Sequence, residues 1–281
     1  MINAINKRTS VRTYQKKSLT KKDEHAVKDL LESLKELKGP FENKARLFFY
    51  DSPYVGDEVN IQIGTYGFIK NPPAFVAGCV KNTFESIVDY GYVFEKVILE
   101  ITKLGLGTVW LGGTFNRDAF DYLLAEGEIV PAITPVGYPA EKKSVREKVI
   151  RKAAKGDLSK PFNELFFEND LKTPLSDKHV VSEYLELVRI GPSASNKQPW
   201  RAVVKGNKVH FYLEKTKGYA ESLSFDIQAL DLGIAICHFE SGLITDKKTY
   251  AICVDDDHPT FNQLKYIISF DCIRDEKLGK D

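Results

Sequence analysis

Three polar residues near the start of the chain have the types and the spacing of an anion clamp. Arg8, Ser10 and Arg12 alternate with Thr9 and Val11 in the segment "RTSVR". In an extended or turn conformation, side chains two positions apart share one face. Two guanidinium groups and a hydroxyl can direct charge-assisted hydrogen bonds of about 1.5–3 kcal/mol each to a phosphate. The segment therefore predicts a phosphate site, although a solvated basic tail or the start of a helix has the same composition.

A second segment, "GPSASNKQPW" at positions 191–200, has the composition of a ligand-binding loop. The hydroxyls of Ser193 and Ser195 and the amide of Asn196 can bond the polar edge of a planar heterocycle, while the small residues allow close approach. Trp200 would then be a wall of the site. The alternative is an ordinary loop between a helix and a strand, with Trp200 in the core.

Two further segments could add donors to such a site. The stretch "LGLGTVWLGG" ends at Gly112 and Gly113, whose backbone amides could face a ligand, although a plain turn is the alternative. It lacks the third glycine of a dinucleotide-binding fingerprint. Arg146 lies in "KKSVREK", whose basic side chains could also contact the phosphate, although by itself this run is typical of solvated surface.

Composition limits the classes of ligand. The chain has 281 residues, 43% of them hydrophobic, and 40 basic against 39 acidic side chains, which predicts a globular protein without a broad surface for nucleic acid or anionic membrane. The five histidines and four cysteines form no metal-binding pattern, and we expect the cysteines to be reduced core thiols. We find no signal-peptide core and no run near the roughly 18 apolar residues of a membrane span, and therefore expect a cytoplasmic protein.

The apolar periodicity predicts an order of elements for the first half of the chain. A helix over Leu19–Leu37 should begin after Ser18 or Thr20 and end at Gly39. The elements predicted after it are the strands "ARLFFY" and "AFVAGCV", a buried helix in "SIVDYGYVFEKVILEITKLGLG" with a glycine cap, the strand "TVWLG", a short helix after Asn116 and the strand "PAITPVGYP".

The same order begins again in the second half. Gly191-Pro192 matches Gly39-Pro40 at a separation of 152 positions, and the pattern Asp-x-Gly at Asp89 recurs at Asp231, 142 positions later. We interpret both aspartates as structural capping or turn residues. Two homologous halves, 1–170 and 171–281, are therefore predicted to pack about a pseudo-twofold axis, as the subunits of a symmetric dimer do.

The two halves are not equivalent. The segment "KRTSVRTY" has no counterpart in the second half, and the second half has "PSASNKQPW" where the first has only "PFENKAR". Each half has therefore kept one feature that the other has lost.

Together these segments resemble the nitroreductase family, and more closely its fused single-chain branch of the Thermotoga type. The motifs that carry the resemblance are "RTSVR", "PSASNKQPW", "LGLGTVWLGG" and "VGYPAEKKSVR". The resemblance implies an α+β fold in which two homologous halves form an intramolecular pseudo-dimer, with mixed antiparallel sheets flanked by helices. It also implies one intact and one decayed site for FMN between the halves.

Carried over by the resemblance, the phosphate of FMN would be held from the first half and its isoalloxazine contacted from the second. The cofactor-binding residues implied are Arg8, Ser10, Arg12 and Arg146 at the phosphate, Pro192, Ser193, Ala194, Ser195 and Asn196 at the isoalloxazine, Gly112 and Gly113 near N5, and Thr65 near the pyrimidine edge.

The resemblance implies an FMN-dependent oxidoreductase that takes hydride from NADH or NADPH and reduces nitroaromatics, quinones or similar acceptors in a ping-pong cycle through flavin N5, so that no side chain is needed as an acid or base. A flavin sensor or carrier without turnover is the first alternative, and a structural pseudo-dimer without sites is the second. The expected partner is a small-molecule electron acceptor, not nucleic acid or a membrane, and the fused chain is expected to be monomeric.

Overall fold

The computed structural model describes residues 1–51, 65, 67–141 and 158–272. Its helices are α1 (Ile2–Lys7), α2 (Lys21–Leu34), α3 (Phe84–Lys103), α4 (Ser182–Arg189) and α5 (Ile227–Thr245). Its strands are β1 (Arg46–Asp51), β2 (Ala74–Lys81), β3 (Glu128–Ile129), β4 (Ile133–Val136), β5 (Phe166–Glu168), β6 (Trp200–Lys205), β7 (Lys208–Leu213), β8 (Ala251–Cys253) and β9 (Lys265–Asp271). Short 3₁₀ helices lie at Arg117–Leu123, Phe162–Glu164 and Ala194–Asn196.

The strands form two sheets of related order. In the first sheet the central β2 pairs antiparallel with β1 on one side and with β4 and β3 on the other. The second sheet has the order β5-β6-β7-β9-β8, in which only the pair β5 and β6 is parallel. The run β1-β2-β4 thus corresponds to β6-β7-β9. Strand β5 lies within the predicted first half but pairs into the second sheet, and the division at residue 170 stays a prediction.

Local capping explains where the helices of the first half begin and end. The Thr20 hydroxyl accepts a hydrogen bond from the amide of Asp23 at 3.1 Å, which caps α2 as predicted. Gly105, with φ of +79°, follows the end of α3 and adopts the left-handed conformation that glycine tolerates best. Helix α2 therefore begins, and helix α3 ends, where predicted. The predicted end of α2 at Gly39 is wrong, because α2 already ends at Leu34.

The predicted strand "TVWLG" forms only isolated bridges. Leu111 pairs with Ile133 and Gly107 with Gly137, so the segment lies extended beside β4 in the place that β8 takes beside β9. Between these bridges the amide of Val109 donates to the hydroxyl of Thr134 at 3.1 Å rather than to a backbone carbonyl. Because this side chain takes the ladder bond, the prediction of a regular strand is wrong.

Helices α3 and α5 cross at the centre of the molecule through two glycines. A Cβ atom on Gly91 would lie 2.9 Å from the Leu230 carbonyl carbon, and one on Gly233 would lie 2.5 Å from the Tyr92 nitrogen and closer still to the Val88 carbonyl oxygen. Gly91 and Gly233 are 142 positions apart, as are Val88 and Leu230. The contact is therefore reciprocal, and the two halves form an intramolecular pseudo-dimer about this crossing.

Helix α5 is long and apolar enough to span a membrane by length and composition, which the sequence prediction did not anticipate. An 18-residue window of this helix has a mean hydropathy of 1.3, and 94% of the window is buried inside the protein. It has the burial of a core helix. Cys79 and Cys237 are buried free thiols as predicted, whereas the free thiols Cys253 and Cys272 are only half-buried.

Candidate functional site

A cavity of about 520 Å³ lies between the two halves. This volume is within the range of ligand pockets, about 300–1,000 Å³. The cavity is lined by residues from the N-terminal segment, the stretch before the first 3₁₀ helix, the loop after α4 and the start of α5. The predicted site residues among them are Arg8, Ser10, Arg12, Gly112, Gly113, Pro192, Ser193, Ala194, Ser195 and Asn196.

The backbone around Ser10 explains why the polar side chains of "RTSVR" reach the cavity together. Ser10 forms a parallel bridge with Thr108, and the amide of Val11 donates to the Thr108 carbonyl at 2.8 Å. Val11 packs against Gly107, where a Cβ atom would come within 2.9 Å of its side chain. Because alternate side chains point to opposite faces, Arg8, Ser10 and Arg12 share the face away from Val11.

The loop after α4 is held open by an unusual backbone. Ser195, Asn196 and Gln198 have φ values of 48°, 53° and 48°, in the left-handed region that costs energy for residues other than glycine. The amide of Gln198 donates to the Ser193 hydroxyl at 2.9 Å, which ties the two sides of the turn together. Strain of this kind persists where the surrounding structure imposes it.

Some polar side chains of this loop form hydrogen bonds with other segments of the protein. The side-chain nitrogen of Asn196 donates to the Leu158 carbonyl at 2.8 Å, and the Gln198 side-chain oxygen accepts from the backbone amide of Lys160 at 2.9 Å. Trp200 is fully buried and is not among the residues that line the cavity. Of the two alternatives for Trp200, the structure therefore supports the core position.

The two glycines at the end of the extended segment lie where the halves meet. A Cβ atom on Gly112 would come within 2.7 Å of the side chain of Ile227, the first residue of α5. The carbonyl of Gly112 accepts a hydrogen bond from Arg117, which also binds the Pro131 carbonyl at 3.1 Å. Arg117 thereby fixes the turn that brings Gly113 to the cavity.

Two predicted site residues stay untested by the cavity: Thr65, which is described but does not line it, and Arg146. The carbonyl of Thr65 accepts a hydrogen bond from the amide of the lining residue Phe68 at 2.8 Å. Arg146 and the rest of "KKSVREK" lie outside the described residues. Their roles at a ligand stay predictions.

Sequence reasoning missed Tyr219, which also lines the cavity. Its hydroxyl donates to the Ser195 hydroxyl at 2.9 Å, and Lys197 Nζ lies 5.4 Å from its ring centroid. Burial raises the pKa of the Tyr219 phenol, so the group stays neutral and keeps its proton to donate. Tyr219 comes from the loop between β7 and α5, residues 214–226, whereas β2 and α3 are joined by residues 82 and 83 alone. This inequality of the halves is the signal that could have found it.

A second feature that the sequence did not reveal is a buried polar chain behind the cavity wall. Trp110 lines the cavity and donates its indole N–H to Glu95 at 2.7 Å, and the other Glu95 oxygen lies 2.9 Å from His238 Nε2. His238 Nδ1 lies 2.8 Å from the Leu187 carbonyl. A carbonyl can only accept, so Nδ1 carries a hydrogen, and Nε2 forms the hydrogen bond with Glu95. The chain thus connects α3, α5, α4 and the cavity.

Replacing Glu95 by leucine is expected to lower the free energy of unfolding by about 3–5 kcal/mol, because the buried indole of Trp110 loses its acceptor and buried His238 loses its hydrogen-bond partner. Glu95→Gln should cost less than about 1.5 kcal/mol, since an amide can accept from the indole and donate to a neutral imidazole. Urea denaturation measures both. Glu100→Leu is the matched control on the same helix, where the partly exposed pair with Lys103 predicts a loss below about 1 kcal/mol. Equal losses for the leucine and glutamine variants of Glu95 would contradict the role of these hydrogen bonds.

Comparison with known families shows one matching family model. It is described as "Putative TM nitroreductase" and matches residues 1–243 of this chain. No curated protein matches the chain significantly.

Several solved structures resemble this chain. A "putative nitroreductase" from Thermotoga maritima has a TM-score of 0.60 at 21% identity, with 96% of this chain and 92% of that chain covered. A nitroreductase family protein from Clostridium novyi covers 51% of this chain and 88% of its own, at 18% identity and a TM-score of 0.40. An FMN-dependent nitroreductase from Clostridium difficile covers 51% of this chain and 90% of its own, at 19% identity and a TM-score of 0.39. The likeness to the Thermotoga protein extends over both halves and confirms the predicted α+β fold class.

Proposed function

Because the chain belongs to the family described as "Putative TM nitroreductase", we propose that it is an FMN-dependent oxidoreductase that uses NADH or NADPH to reduce nitroaromatics, quinones or similar electron-poor molecules. One observation carries the proposal. The same cavity is lined by Arg8, Ser10 and Arg12 from the N-terminal segment and by the loop that begins at Pro192.

The residues present fit a flat ligand that carries a phosphate. Arg8 and Arg12 supply guanidinium forks, which match phosphate oxygens in geometry and charge, and Ser10 adds a hydroxyl. At Gly113 a Cβ atom would have no heavy atom within 4 Å, so space remains open beside this wall. Apolar side chains such as Leu223 complete the lining, as a planar ring system requires.

Bound FMN would supply the redox chemistry, accepting a hydride from the nicotinamide and passing electrons to the acceptor. The protein's own residues bind and orient. Arg8 and Arg12 would neutralise the phosphate, and Gly113 would leave the flat face accessible. Tyr219, through its hydrogen bond to Ser195, would fix the hydroxyl of the opposite loop. No side chain is required as a general acid or base.

The unequal halves support one flavin per chain. The loop of the first half, between Pro40 and Asn43, folds onto the Asp89 carboxylate, whereas its counterpart in the second half opens toward the cavity. A single chain would then hold one complete site without a second subunit. The proposal accordingly includes a monomer with a small-molecule acceptor, in the cytoplasm, without nucleic acid or membrane as a partner.

Titration with FMN tests the proposal. The protein is expected to bind one equivalent of FMN, and bound flavin is expected to lose its visible absorbance after anaerobic mixing with NADH or NADPH. Protein that binds no FMN would contradict the flavin site. Binding without bleaching by either nucleotide would instead favour a flavin sensor or carrier.

A further inference from the structure

Helices α3 and α5 carry aspartates at equivalent positions beside their crossing. Asp89 precedes Gly91 by two residues, and Asp231 precedes Gly233 by two residues. Each aspartate lies inside its helix and beneath the Gly-Pro loop of its own half. The two carboxyl groups can therefore be compared directly, as an internal control within one molecule.

In the first half the loop is closed onto its aspartate. Asp89 accepts three hydrogen bonds of 2.8 Å, from the amide of Phe41, the amide of Asn43 and the side chain of Asn43. A Cβ atom on Gly39 would collide with the same carboxyl group. Both oxygens of Asp89 are occupied, and the loop leaves no room between itself and the helix.

In the second half the equivalent carboxyl group takes a single donor. Asp231 Oδ1 accepts from the amide of Ala194 at 2.9 Å. Asp231 is only 2% exposed and lines the cavity. Its Oδ2 is buried and has no hydrogen-bond partner within the described part of the chain. Burial with so few donors raises the pKa of Asp231 well above its usual value, whereas that of Asp89 is raised to about 6.

The sequences of the loops explain this difference. Strand β1 begins seven residues after Gly39, and β6 begins nine residues after Gly191, so the second loop is longer by two residues. Its backbone turns into the left-handed region at Ser195 and Asn196, which follow Ala194 directly. Only the Ala194 amide therefore reaches the carboxyl group, and the rest of the loop lines the cavity.

We propose that Asp231 is a positioning residue for the ligand of this cavity, because its single hydrogen bond to Ala194 holds the loop Pro192–Asn196 in the open form. As a role in binding FMN, this inference rests on the proposed function. The positioning of the loop itself does not, since it is present in the protein without any ligand.

The test compares Asp231→Ala with Asp231→Asn and with the matched control Asp89→Ala. Asp231→Ala should weaken FMN affinity roughly tenfold or more, measured by flavin fluorescence during titration, because the open loop loses its hydrogen bond to α5. Hydrogen exchange of residues 191–199 should rise in the protein without FMN. Asp231→Asn should restore both properties, since its amide oxygen can accept from Ala194. Asp89→Ala should raise exchange at residues 39–44 and leave FMN affinity unchanged.

A variant on the other side of the bond covers the case in which Asp231→Ala does not fold. Ala194→Pro removes the donor without altering α5, and it is expected to raise exchange in the same loop and to weaken FMN binding. Unchanged exchange at residues 191–199, or equal loss of FMN affinity in the Asp231 and Asp89 alanine variants, would overturn the inference. Failure of the wild-type protein to bind FMN would overturn the proposed function alone, because the exchange comparison still decides the role of Asp231.

Discussion

Replacing Gly233 by alanine is expected to destabilise the protein by at least about 3 kcal/mol, at or above the upper end of the usual cost of overpacking. The added Cβ atom would lie 2.5 Å from the Tyr92 nitrogen and closer to the Val88 carbonyl oxygen. Both are backbone atoms of α3, so no side-chain rotation can relieve the contact. Alanine favours helix over glycine by about 1 kcal/mol, which is too little to offset the separation of two core helices.

The midpoint of thermal or urea unfolding measures this effect. Gly113→Ala is the matched control, because a Cβ atom there meets no heavy atom within 4 Å and its φ is not in the left-handed region. This control should change the free energy of unfolding by less than about 0.5 kcal/mol. A Gly233→Ala protein as stable as the wild type would show that α3 and α5 do not cross at this distance.

Arg8→Ala is expected to weaken FMN binding by roughly 10- to 150-fold, corresponding to a lost charge-assisted hydrogen bond of about 1.5–3 kcal/mol. Ser195→Ala should weaken binding less, by roughly threefold to tenfold, because a neutral hydroxyl contributes about 1 kcal/mol. The two residues lie in different halves but line the same cavity. A joint effect would therefore support a site shared across the pseudo-dimer.

Lys7→Ala is the matched control for Arg8, since Lys7 is an exposed neighbour that does not line the cavity. It should leave the FMN dissociation constant within about twofold at moderate salt, where exposed charges are screened. If Arg8→Ala and Lys7→Ala had equal effects, the clamp would be no more than a general basic surface. If Ser195→Ala had none while Arg8 mattered, the second half would not contribute to the site as proposed.

Features set by neighbours in the chain were predictable. The Thr20 cap and the glycine after α3 act through backbone groups a few residues away, and both are as expected. The irregularity of the strand predicted from Thr108 could not be foreseen, because the Thr134 side chain, 26 positions later, takes the place of a backbone acceptor. The apolar periodicity of a sequence indicates which residues are buried, but it does not indicate which distant donor or acceptor their backbone groups bond.

The candidate site shows the same division. Residue types and spacing selected Arg8, Ser10, Arg12 and the segment after Pro192 as groups that can bind a ligand, and the structure places them around one cavity. Sequence did not reveal Tyr219, because its role depends on a hydrogen bond to Ser195 in another loop.

The buried chain through Glu95 and His238 could not be foreseen either, since each residue has an ordinary helical context and the two are 143 positions apart.

By itself, the sequence determined the repeat, the unequal motifs of its halves and the family they resemble, because duplicated order and side-chain chemistry are written in residue types. Only the tertiary structure decided that Gly91 and Gly233 bring two helices into backbone contact, and that Asp89 closes one loop while Asp231 leaves the other open. These outcomes depend on distances between segments far apart in the chain. Differences of about an ångström decide there whether a glycine is required, whether a carboxyl group is satisfied and whether a cavity remains.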